Sequence, residues 1–116
     1  MKIRRGDIIA FDFPFPDNTG NKVRPVLVVS SNLINERTQN AIVAAISSSV
    51  QSATERHVLI DPTTPDGRRT GLKRPSIVQC DKLLTIDKSF ILGMIGKLNR
   101  ELQKHVDDLL RASSDL

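Results

Sequence analysis

The sequence predicts a small, mainly β protein: a strongly bent barrel of antiparallel strands closed by one C-terminal helix. Three observations carry that expectation. Apolar residues fall in short stretches, such as Ile8 to Phe13, Ala41 to Ile46 and Ile91 to Leu98, and stretches of this length read as strands. Pro, Gly, Asn, Asp and Ser punctuate the intervals between them, as turns require. Sustained helical spacing occurs only in the tail, at Leu102, Val106, Leu109 and Leu110, which suits a single amphipathic helix laid over the strands. At 116 residues the chain is long enough for one real core and too short for two, so residues 1–116 are expected to form one domain.

In chain order, Ile9, Phe11 and Phe13 share one face at period two and mark a first strand, which Pro14 and Pro16 should end. Asp17 to Asn21 has the composition of a polar turn. The central strand is expected from Pro25 to Ser31, buried on both faces because Val26-Leu27-Val28-Val29 offers no polar side. Asn32 to Gln39 reads as a loop with a short helical turn, and Ala41 to Ile46 as another buried strand running into Ser47-Ser48-Ser49. His57 to Ile60 is short enough for an edge strand. Pro62 to Gly71, with two prolines, two glycines and Arg68-Arg69, reads as an exposed, mobile, basic loop. Pro75 to Cys80 resumes strand character, Lys82 to Ile86 continues it after a bend, and Asp87 to Phe90 suits a helical turn. Ile91 to Leu98 is the last strand, with Gly93 and Gly96 permitting curvature. Asn99 is a good N-cap for the closing helix.

Composition narrows the function. No apolar run is long enough to span a bilayer, no signal-like start is present, and the single Cys80 cannot form an internal disulfide, so the cytoplasm is the expected compartment. A net charge of +4 permits a polyanionic partner. With only four Phe and no Tyr or Trp, nucleic acid would be held by charge and hydrogen bonds rather than by many stacking platforms.

Most familiar chemistries are poorly supported. His57 and His105 have no partner at ligand spacing, so no metal site or cofactor is expected. Cys80 beside Asp81 reads as a buried, inert thiol. There is neither a Gly-x-Ser-x-Gly elbow nor a Gly-x-x-x-x-Gly-Lys phosphate loop. What remains is a set of polar residues at strand ends: Arg24, Ser47, Gln79 and Asp81, with Asn18, Thr19 and Lys22 in the first loop. Pro25 biases Arg24 to an extended backbone, presenting its planar fork at the rim of a core strand. An arginine for a phosphate, a carboxylate for a proton and a hydroxyl to orient would suffice for metal-free phosphodiester cleavage, with the 2′-hydroxyl of RNA as nucleophile. The plainer alternative is that the serines cap strand ends and Asp81 begins a turn.

Several stretches, taken in order, resemble the MazF/PemK toxins of bacterial toxin–antitoxin pairs. They are Arg5-Gly6-Asp7-Ile8, Arg24-Pro25-Val26-Leu27-Val28-Val29-Ser30, Ala41 to Ser47, Gly71-Leu72-Lys73-Arg74-Pro75-Ser76-Ile77-Val78, Asp81 with Thr85-Ile86-Asp87-Lys88, and Ile95-Gly96-Lys97-Leu98. The resemblance implies an SH3-like barrel that forms a homodimer and cuts single-stranded RNA without metal, leaving 2′,3′-cyclic phosphate and 5′-hydroxyl ends. It also implies a cognate antitoxin that blocks the RNA groove. By position it assigns Arg24 to phosphate charge and leaving-group protonation, Ser47 to a hydroxyl role where many members carry threonine, and Asp81 to proton transfer. Asn18, Thr19, Lys22, Ser48, Lys73 and Gln79 become the expected RNA-binding residues. Two positions depart from the pattern: Gln79 stands where some members have arginine, and Asn18 where some have histidine. Phe13-Pro14-Phe15-Pro16 resembles a subgroup with its own loop, so sequence preference does not transfer. A different class stays open on the same architecture, a non-catalytic toxin of the gyrase-binding CcdB type, and so does a decayed toxin that only binds RNA or an antitoxin.

Overall fold

The computed structural model describes residues 2–17 and 20–114, with side chains for 2–13 and 22–113. Six strands make one antiparallel sheet: β1 (Asp7–Asp17), β2 (Gly20–Val28), β3 (Asn40–Ser47), β4 (His57–Ile60), β5 (Ser76–Asp87) and β6 (Ile91–Lys97). They lie in the order β4-β5-β3-β2-β1-β6. Among the described residues, two α-helices, α1 (Asn32–Arg37) and α2 (Pro65–Arg68), and two 3-10 turns, Val50–Ser52 and Lys88–Phe90, lie between strands, and α3 (Arg100–Ser114) follows the last of them. The expected fold class holds. The sheet curls strongly but is not sealed into a closed barrel, since β4 and β6 stay as its two edges.

β2 sits between β1 and β3, and Val26, Leu27 and Val28 are fully buried, as the absence of a polar face predicts. Alternation sends Leu27 to a core with Ile8, Ala44, Val58, Val78 and Val106 of α3. Val26 and Val28 go to a second core on the opposite face with Ile9, Phe11, Val43 and Ile86. One sheet thus carries an apolar layer on each side, which fits unbroken aliphatic strands. Register irregularities bend it, between Phe13 and Asp17 in the β1–β2 ladder and between Ala44 and Ala45 in the β3–β5 ladder.

Several boundaries differ from the sequence expectation. β1 runs through Pro14 and Pro16 to Asp17, because the irregular pairing there tolerates residues lacking an N–H. β2 begins five residues before Pro25 and ends at Val28, and Ser31 instead caps α1 by accepting from the Ile34 N–H. Ser76–Asp87 forms one long strand, β5, where two segments joined by a bend were expected. The terminal helix starts as expected, with Asn99 Oδ1 accepting from the Leu102 N–H at 2.9 Å.

The largest departure is 62–71, expected as a mobile loop. Thr64 caps α2 by accepting from the Gly67 N–H at 3.0 Å. Fully buried Thr70 donates to the Gly67 carbonyl and accepts from the Leu72 N–H at 3.2 Å. The Lys97 N–H donates to the Arg69 carbonyl at 3.2 Å, tying the turn to β6. Gly71 has φ +73°, and Gly96 lies so close that a Cβ there would meet the Thr70 carbonyl oxygen at 2.3 Å. The turn needs both glycines, for different reasons. A Cβ at Gly93, by contrast, meets nothing within 4 Å. Gly96→Ala is therefore expected to cost about 1–3 kcal/mol in urea unfolding through backbone overpacking, whereas Gly93→Ala should stay within about 0.5 kcal/mol of the parent.

Candidate functional site

Arg24 is the middle residue of β2, opposite Phe11 of β1 and just outside the part of β2 that pairs with β3. The β2–β3 ladder ends at Val26↔Ala45, two residues short of Arg24, and Ser47 lies two residues beyond Ala45, paired with Ile77 of β5. Pro25 follows Arg24 and holds its backbone extended. Beside these residues lies a cavity of about 550 Å³ whose walls include Lys22, Arg24, Ser48 and Lys73, four of the residues expected from the sequence. Arg74 and Ser76 line it as well, and the sequence reading did not single them out as site residues.

Among the described residues, no Asp or Glu lines this cavity, although four cations do. Among the described residues, no hydrogen bond or ion pair occupies the side chains of Arg24, Lys73 or Arg74. Like charges gathered in a concave wall raise the local potential, and a bound anion relieves their repulsion. A phosphodiester has the charge and the acceptor oxygens to do so.

The remaining expected residues are distributed differently. Ser47 does not line the cavity, and its Oγ accepts from the Ser49 N–H at 3.1 Å, shaping the turn that presents Ser48. Gln79 is held within the ladders, paired with Ala45 on one side and His57 on the other. Asn18 and Thr19 lie outside the described residues.

Asp81 belongs to another neighbourhood. Its Oδ1 meets His57 Nε2 at 3.0 Å, and the Thr54 N–H donates to His57 Nδ1 at 3.1 Å. With Nδ1 accepting, the neutral ring carries its proton on Nε2 and donates it to Asp81. The His57 side chain is only 6% exposed, so it does more than open β4. Asp81 lines a separate cavity with Glu55, Arg56 and the end of α3. At ~3.3 Å per residue it lies roughly 13 Å along β5 from Ile77, the partner of Ser47. Nothing in the sequence marks the His57–Asp81 pair, because the β4–β5 register creates it.

Cys80 is buried, and its thiol is pushed up to about 11, chiefly by burial and secondarily by the charge of Asp81. His105 is exposed on α3, and among the described residues no three His, Cys, Asp or Glu side chains gather as potential metal ligands. At pH 8 only about one Cys80 in a thousand carries the reactive thiolate. Titration with a thiol reagent at that pH should therefore detect almost no reactive cysteine in the native protein and one per chain in guanidinium.

Comparison with known proteins follows the same lines. A family model described as "PemK-like, MazF-like toxin of type II toxin-antitoxin system" matches residues 4–114. Endoribonuclease EndoA of Bacillus subtilis is 35% identical over 115 residues, covering 97% of this chain and 95% of that protein. Among solved structures, the Mycobacterium tuberculosis toxin MazF-mt6 superposes with a TM-score of 0.74 at 24% identity, covering 95% of this chain and 97% of that one. A mycobacterial endoribonuclease in complex with its cognate antitoxin superposes with a TM-score of 0.78 at 18% identity, covering 98% and 96% of the two chains.

Proposed function

The chain belongs to the PemK-like, MazF-like toxin family of type II toxin–antitoxin systems, and on that premise we propose that it is a metal-independent endoribonuclease acting on single-stranded RNA. The observation that carries this reading is the cavity walled by Lys22, Arg24, Lys73 and Arg74 with no acidic residue among the described ones that line it. The non-catalytic gyrase-binding alternative is not favoured, since the relative at 35% identity is named an endoribonuclease.

In this reading the strand's 2′-hydroxyl attacks the adjacent phosphorus, the 5′-oxygen leaves with a proton, and a 2′,3′-cyclic phosphate remains. Negative charge builds on the non-bridging oxygens as the P–O bond forms. A guanidinium held at the rim by Pro25 meets it without reorganising. Arg24 also serves to protonate the departing oxygen. Ser47, through the turn its Oγ organises and through neighbouring Ser48, orients the strand's hydroxyls. The 2′-hydroxyl proton passes to water in this reading, because Asp81, paired with His57 in a separate cavity and roughly 13 Å along β5 from Ile77, lies beyond direct reach of the phosphate held by Arg24. Lys22 and Lys73 hold flanking phosphates, Gln79 contributes a hydrogen bond, and Asn18 and Thr19 complete the RNA contacts from the first loop. The protein is expected to work as a homodimer in the cytoplasm, silenced by an antitoxin whose acidic side chains neutralise the same cations.

The test is cleavage of a long mixed-sequence RNA in excess EDTA, with fragment ends read by mass spectrometry. Discrete fragments with cyclic-phosphate and 5′-hydroxyl ends are expected. Arg24→Ala should lower the single-turnover rate by about 10²–10³-fold, the usual loss when one preorganised charge-stabilising donor is removed. Intact RNA in the presence of folded wild-type protein that still arrests growth when expressed would defeat the reading.

A further inference from the structure

The chain contains two Arg-Pro steps, Arg24-Pro25 and Arg74-Pro75. The first lies in β2 just outside its three fully buried residues, and the second immediately precedes Ser76, where β5 begins. In each, the proline disfavours helical backbone at the arginine; Arg24 lies within β2, and Arg74 in the bend that leads into β5. The sheet brings both arginines to the same cavity, although fifty positions of sequence separate them.

Arg74 is more firmly placed than an ordinary surface arginine. Ser76, 5% exposed, donates its hydroxyl to the Arg74 carbonyl at 2.9 Å. Upstream, the Thr70 hydroxyl holds the Leu72 N–H, and Gly71 at φ +73° packs against the Ile95 carbonyl. The backbone is therefore anchored on both sides of Lys73 and Arg74, while the Arg74 side chain has no partner among the described residues. A fixed backbone carrying an unneutralised guanidinium beside a second one suits two anionic groups in succession. A nucleic-acid backbone supplies them.

We propose that Arg74 is a second phosphate-binding residue, gripping the bound strand at the phosphate next to the one held by Arg24. The proposal rests on the ribonuclease reading above. It also supplies the second cation that Gln79, enclosed between Ala45 and His57, does not. Arginine suits the place better than lysine, because its fork takes two phosphate oxygens at once.

The experiment measures binding of a mixed-sequence single strand built wholly of 2′-deoxyribose, which has no internal nucleophile, by fluorescence anisotropy over a range of NaCl. Each phosphate contact on a single strand contributes about 0.7 to the slope of log K against log [salt]. Arg74→Ala should therefore flatten the slope by about 0.7. Arg74→Lys should keep most of the slope, and Arg69→Ala, exposed and outside the cavity, should leave it unchanged. A purely structural role would shift the melting temperature without changing the slope. An unchanged slope in Arg74→Ala overturns the proposal. Wild-type cleavage of RNA, run in parallel, separates the outcomes: if it persists while the slope is unchanged, only the role of Arg74 falls. If the wild type neither binds the strand nor cuts RNA, both readings fall together.

Discussion

The register of β2 between β1 and β3 is the constraint on which the rest of the structure depends. Leu27 faces one core while Val26 and Val28 face the other. A slip by one residue would exchange every side chain between the two faces. Because both faces are buried, slippage is strongly opposed, and the position of Arg24 relative to Ser47 is fixed by packing several residues away. Pro25, which donates no ladder hydrogen bond, is tolerated where the β2–β3 ladder ends at Val26. There it restricts Arg24 and leaves the buried segment intact.

The helix and the 62–71 turn serve the same geometry from outside. α3 covers one face through Val106, with Leu102, Leu109 and Leu110 packed around the same core. The turn is sewn to β6 by Thr70, Arg69 and the close approach of Gly96. Its end leads directly into Lys73 and Arg74. A segment rich in glycine and arginine thus acts as a fixed support for charge. Its glycines are needed for tight approach and a left-handed turn, and they do not loosen the chain.

Electrostatics separates the molecule into two neighbourhoods. Around Arg24, Lys73 and Arg74 no Asp or Glu lines the cavity among the described residues, an arrangement that favours a polyanion. Around Asp81 the carboxylate is partnered by a histidine whose tautomer is set by the Thr54 N–H. The irregularity in β5 divides the two. The β3–β5 pairing jumps from Ala45↔Gln79 to Ala44↔Leu83, so Asp81 falls in the unpaired interval and turns toward β4 and α3.

Much of this was legible in the sequence because it depends on neighbours along the chain. Period-two alternation located the first strand, Asn99 marked the helix start, and Arg24-Pro25 marked a restrained cation of the central strand, although β2 starts at Gly20 and places Arg24 at its middle rather than its mouth. The ordered motifs from Arg5-Gly6-Asp7 to Ile95-Gly96-Lys97 identified the family. What local pattern could not show is where long-range pairing brings side chains. Prolines in β1 look like strand breakers until an irregular ladder accommodates them, and 62–71 looks loose until Thr70 is buried and Gly96 closes over it. His57 and Asp81 have no sequence relationship before β4 pairs with β5. Arg74 looks like a surface residue until the sheet curls it beside Arg24. The sequence alone determined which segments bury and which residues carry charge, since hydrophobic periodicity and backbone restriction act over a few residues. Tertiary structure decided which charges meet, because that depends on register and curvature summed over the whole sheet.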